Sequence, residues 1–139
     1  MKQDIWGKHA WIFLHTITLE YPENPSENTK NAIKTMIESL VHLLPCKICQ
    51  ENLSKKLSYH PLTNDILSNK KKLIVWMIDL HNLVNKDIGK KVLTHNEALK
   101  YLFKDLKKNT VENYNKMYYI VIGILLIVLF SIAIIFFNF

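Results

Sequence analysis

Two cysteines carry the most chemistry in this chain. Pro45-Cys46-Lys47-Ile48-Cys49 is a CxxC placed where a helix is expected to start. Helical spacing brings positions i and i+3 onto one face, which permits a disulfide. The positive end of a helix favours an anion, so one thiol should ionise readily, helped by Lys47. These are the conditions for a redox-active pair. Two bland readings stand beside it: small apolar residues packed in a core, or half of a zinc site that needs two more ligands. No His pair follows at finger spacing, and the βαβ setting of a thioredoxin-like domain is absent.

A second group is His81-Asn82-Leu83-Val84-Asn85, late in an amphipathic segment. His81 and Asn85 share a helix face, and Lys90 and Lys91 follow at the helix end. Unpaired polar groups beside an apolar stripe cost about 1–3 kcal/mol each, so a polar ligand that satisfies them is the better account. A third group is Gly7, Trp11 and His15, which repeat at i+4 on the first helix after Trp6. Gly7 weakens that helix by roughly 1 kcal/mol relative to Ala, and a small residue there lets something flat approach the backbone. Trp11 and His15 offer a ring face and a hydrogen-bonding edge.

The elements that must position these residues are helices. Residues 6–20 run apolar on more than one face until Pro22. Ser26 offers an N-cap with Glu27 in the first turn. Ile33, Met36, Ile37, Leu40, Val41 and Leu44 then recur at helical spacing, and Pro45 ends the run. Residues 46–59 read as a third helix and 62–69 as a loop. A fourth helix over 70–87 has Leu73, Trp76, Met77, Leu80, Leu83 and Val84 on its apolar side and Gly89 at its end. Thr94 and Glu97 form a capping box for a fifth helix through Leu106. No period-2 strand and no internal repeat is visible.

The last 23 of the 139 residues hold 20 apolar ones, and every charge lies at or before Lys116. Met117 to Phe137 is an uncharged run of 21 residues, enough for a bilayer core that needs about 20. Tyr118 and Tyr119 sit at its start, where headgroups favour aromatic rings, and Lys104, Lys107, Lys108 and Lys116 flank it on the side expected to stay cytosolic. We therefore expect a single-pass C-terminal tail anchor with the domain facing the cytosol. In that reducing compartment a Cys pair is catalytic or metal-binding more often than structural. The net charge is +6, with 18 Lys and no Arg. Without the guanidinium fork a nucleic-acid partner is not expected.

Taken together, WGKHAWIFLHT at 6–16, Tyr21-Pro22, PCKIC at 45–49 and HNLVNKDIGK at 81–90 resemble the Erv/ALR family of FAD-linked sulfhydryl oxidases. The resemblance covers about residues 6–103. The compact size and Lys/Asn/Ile-rich composition look most like the versions carried by large cytoplasmic DNA viruses, which suggests host cytoplasmic membranes or a virion membrane as the location. The resemblance implies an all-α fold, a four-helix bundle plus a short fifth helix, followed here by the C-terminal transmembrane helix. The expected division is 1–108 as the oxidase domain, 109–116 as a Lys/Asn-rich linker and 117–139 as the anchor.

It also implies bound FAD, lined by Gly7, Lys8, Trp11 and His15 from the first helix and by His81, Asn82, Val84 and Asn85 from the fourth. Lys90 and Lys91 would lie near the pyrophosphate and Tyr101 near the adenine. Cys46 and Cys49 would be the catalytic pair, Cys49 on the cofactor side, with no metal. Electrons would pass from client dithiols, or from a thioredoxin-like carrier, through this pair to the flavin and on to O₂, giving hydrogen peroxide; a homodimer is expected. The chain lacks the second, shuttle Cys pair of larger members. The competing readings are a tail-anchored helical adaptor without a cofactor and a zinc-binding structural protein.

Overall fold

A computed structural model describes the backbone of residues 3–137 and, except at 108–113 and 130–137, their side chains. Six helices follow in order: α1 (Gln3–Leu19), α2 (Glu27–Leu43), α3 (Lys47–Tyr59), α4 (Asn64–Leu67), α5 (Lys70–Asp87) and α6 (His95–Phe137). No strand occurs among the described residues. The chain divides into two compact units, Met1–Ala98 and Leu99–Phe139.

In the first unit α1 packs on α5, α2 on α3, and α4 against both α5 and α2. The core gathers where the helical periodicity puts it. Leu73, Trp76, Met77 and Leu80 of α5 are at most 2% exposed and meet Leu14 of α1, Ile33 and Ile37 of α2 and Leu53 of α3. Burying each such side chain is worth about 1.5–3 kcal/mol. Ile78 is also buried, so α5 hides more than the stripe its spacing marks.

The helix ends follow local chemistry. Ser26 caps α2 by accepting from the Thr29 N–H at 3.2 Å. Thr94 and Glu97 exchange side chain-to-backbone bonds at 2.9 and 3.2 Å, the expected capping box, and open α6. Gly89 takes φ of 69°, a left-handed conformation that suits glycine after a helix. The Lys90 N–H then reaches the Asn85 carbonyl at 2.8 Å, closing the end of α5.

Two elements differ from the sequence reading. The expected loop at 62–69 contains α4, a single turn that Thr63 caps through the Ile66 N–H. Leu67 of this turn is buried, and its carbonyl accepts the buried Tyr21 hydroxyl at 3.0 Å. A turn this short has no hydrophobic period, so only its tertiary contacts reveal it. The fifth helix, expected to run through Leu106, continues further, because backbone helix is continuous from His95 to Phe137. No proline or glycine lies between Thr94 and Met117 to stop it. Among the described residues no helix is long and apolar enough to cross a membrane. The side chains at 130–137 of the expected span, and the chain end at 138–139, lie outside the described residues.

Candidate functional site

Cys46 is the N-cap of α3. Its sulfur accepts the Cys49 N–H at 3.3 Å, and the two cysteines form a disulfide with Cα atoms 5.1 Å apart. Gln50 fixes the approach by donating to the carbonyls of His42 and Leu44 at 2.9 and 2.8 Å. The disulfide lies in the wall of a cleft of about 260 Å³. Gly7 and Trp11 of α1 and Val84 of α5 line the same cleft, together with apolar residues of α2 and α3. Three sequence-distant motifs thus meet at one cavity.

A Cβ at Gly7 would meet only Gln3 Cγ, at 3.5 Å. Packing within the protein does not demand glycine here; the missing side chain keeps the cleft wall flat. Trp6, another lining residue, buries its indole Nε1 without a hydrogen-bond partner among the described residues. A buried donor left over beside a cavity is a place for a ligand acceptor.

His15 and His81 lie behind Trp11. Their rings share one hydrogen bond, Nε2 of His15 to Nδ1 of His81 at 2.9 Å, and Trp11 stacks flat on His81 with centroids 4.0 Å apart. Burial lowers the His15 pKa to about 4. For His81, burial first, then the His15 and Lys90 charges, lowers it to about 3. Both rings are therefore neutral near pH 7, and one donates to the other. The cluster braces the indole that faces the cleft.

Asn82 turns away from the cavity. Its Nδ2 donates to the Leu93 carbonyl at 2.8 Å, and its Oδ1 accepts the Leu93 N–H at 3.1 Å. Both amide ends are used in holding the segment before α6. Asn85 is half-buried, whereas Lys8, Lys90 and Lys91 are exposed, Lys91 pairing with Glu97 at 3.0 Å. Tyr101 is exposed and belongs to the second unit. Of the twelve residues expected around a cofactor, Gly7, Trp11, Cys49 and Val84 form cleft wall.

Sequence reasoning missed two charged lining residues. Lys56 of α3 is 3% exposed and ion-pairs with Asp87 at the end of α5. The available signal was spacing: Lys56 stands seven residues after Cys49, on the same helix face. Among the described residues no group of three or more His, Cys, Asp or Glu gathers to hold a metal. In the disulfide state the cysteines offer no thiolates to zinc.

The profile of the Erv1 / Alr family matches residues 8–111, and the chain belongs to that family. It is 39% identical over 115 residues to a probable FAD-linked sulfhydryl oxidase of Acanthamoeba polyphaga mimivirus, covering 83% of this chain and 80% of the relative. It is 30% identical over 107 residues to an FAD-linked sulfhydryl oxidase of African swine fever virus, covering 77% and 87%. The FAD-linked sulfhydryl oxidase ERV1 of Arabidopsis thaliana is 31% identical, but the match spans only 46% of that longer protein and 66% of this chain. The crystal structure of the FAD binding domain of Erv1 from Saccharomyces cerevisiae superposes with a TM-score of 0.64 at 26% identity, covering 69% of this chain and 89% of that one.

Proposed function

We propose that this chain is an FAD-linked sulfhydryl oxidase that makes disulfides in client dithiols. The observation that carries the reading is the Cys46–Cys49 disulfide in the wall of a cleft that Gly7 and Trp11 keep flat and aromatic. The residues fit FAD. The cleft is near the small end of ligand pockets, suited to the ring system. Its walls are mostly apolar, the Trp6 donor awaits an acceptor, and the exposed Lys90 offers a cation to phosphates outside it. Bound there, the flavin would supply two-electron transfer from thiols to O₂, with hydrogen peroxide as product.

The chain's own residues account for the thiol steps. A client thiolate attacks Cys46, giving a mixed disulfide and freeing Cys49 as thiolate. The client's second thiolate then attacks the client sulfur of that bond and expels Cys46. As N-cap of α3, Cys46 leaves with its charge held by the Cys49 N–H and the helix terminus, which makes it a good leaving group. Cys49 is the member of the pair that hands electrons on. The clients are dithiol proteins or a thioredoxin-like carrier, and the family resemblance adds a homodimer, to be read from the molar mass of the intact chain by light scattering.

The apolar run 117–137 serves, in this proposal, as a membrane anchor with the domain on the cytosolic side, in a host or virion membrane. Its support is the uncharged composition and the preceding lysines. Full-length protein mixed with FAD tests the enzymatic reading. We expect a bound flavin spectrum and dithiol-dependent O₂ consumption. A folded protein that stays colourless in excess FAD points instead to the adaptor.

A further inference from the structure

We propose that the Lys56–Asp87 pair sets the electron affinity of the cleft, with Lys56 supplying the positive charge that reduction of the bound cofactor requires. The proposal rests on the FAD reading above. A lysine is almost never fully buried unless paired, and a buried pair is weak evidence for stability, because desolvation offsets the attraction. Here the desolvation is lopsided. The Lys56 side chain is 3% exposed and the Asp87 side chain 48%. Both residues line the cleft; the carboxylate keeps much of its water, which screens it, while the ammonium is enclosed by protein, so the positive charge is the less screened of the two.

Among the described residues nothing else in the wall supplies a fixed charge. Lys56 and Asp87 are the only Lys, Arg, Asp or Glu among the described lining residues. His15 and His81, behind the wall, are neutral near pH 7. Along α3 the cleft stripe runs Cys49, Asn52, Leu53, Lys56. Seven residues at 1.5 Å rise place Lys56 about 10 Å along the helix from Cys49. That is roughly a Debye length, too far to govern a partly solvated thiolate strongly. Its effect falls on what occupies the apolar cleft, where a low dielectric strengthens it.

The redox balance says what that effect is. When the Cys46–Cys49 dithiol closes to a disulfide it gives up two electrons and two protons. FAD bound there would take both electrons and one proton, and the second proton would go to water. The cleft would then gain one negative charge, which an enclosed ammonium would stabilise and a carboxylate oppose.

The test is the two-electron midpoint potential of the FAD-loaded full chain, read by dye equilibration, with melting temperature alongside. Lys56→Met should lower the potential by at least a tenfold loss of preference for the reduced form, about 30 mV for a two-electron couple. Asp87→Asn should raise it. Lys56→Arg should restore a value near wild type, and Lys55→Met, an exposed neighbour, should leave it unmoved. Shifts of opposite sign exclude a merely structural pair, whose loss from either side would lower the melting temperature alone. If Lys56→Met cannot be loaded with FAD, the Asp87→Asn shift decides. An unchanged or lowered potential in Asp87→Asn overturns the proposal while the oxidase reading stands; a wild-type chain that binds no FAD overturns the oxidase reading itself.

Discussion

At the scale of single residues, the two cysteines are not equivalent. Cys46 caps a helix and Cys49 lies one turn inside it. In Cys49→Ser no disulfide is left for a client thiolate to attack; incubated with the disulfide form of a client, the Cys46 thiolate should exchange into a mixed disulfide that no Cys49 thiol can expel. Cys46→Ser should trap far less, and both should lose dithiol turnover; non-reducing gels and oxygen uptake read these outcomes. Gly7 gives a prediction of opposite signs. The space at its Cβ holds only Gln3 Cγ at ordinary contact, so Gly7→Ala should stabilise α1 by up to about 1 kcal/mol. The added methyl intrudes on the cleft, so the same variant should bind FAD less tightly. Thermal melts and flavin titration separate the two effects.

At the scale of elements, α1 and α5 are joined behind the cleft by two imidazoles that burial keeps neutral. Above pH about 6.5 folded and unfolded chains both hold neutral His15 and His81, and the pair adds no pH dependence. Below it the unfolded chain takes up protons that the folded chain refuses until about pH 4 for His15 and pH 3 for His81. Stability should therefore fall as pH drops from 6.5 toward 4, by on the order of 3 kcal/mol from His15 alone. Urea melts across that range read the slope, which should flatten in His15→Gln. Asn82 makes a second inter-element tie. Asn82→Ala leaves the Leu93 backbone groups without their side-chain partner, at a cost of about 1–3 kcal/mol. Limited proteolysis should then cut faster between Lys90 and Thr94.

At the scale of the whole chain, the proposed anchor makes the sharpest claim. The intact protein should sediment with liposomes and resist carbonate extraction, and a truncation before Met117 should not. Protease added to sealed vesicles should digest the Met1–Ala98 unit if it faces the cytosol.

The helices themselves were legible because their signals are local. Spacing at 3.6 residues marked α2 and α5, Ser26 and Thr94 marked two starts, and Gly89 marked an end whose positive φ few other residues adopt. The CxxC, the Trp11 and His15 spacing and the HNxxN string were equally local, as was their combined resemblance to one family. What each polar group touches was not local. The sequence presents Asn82 beside His81 as a ligand group, yet packing turns its amide to Leu93. It presents Lys56 as one more lysine among 18, and only the fold encloses it and brings it to Asp87, 31 residues on. Periodicity assigns a residue to a face of its own helix. Which partner that face meets, and so whether a charge is solvated or enclosed, depends on contacts between segments far apart in the chain, and those exist only in the folded structure.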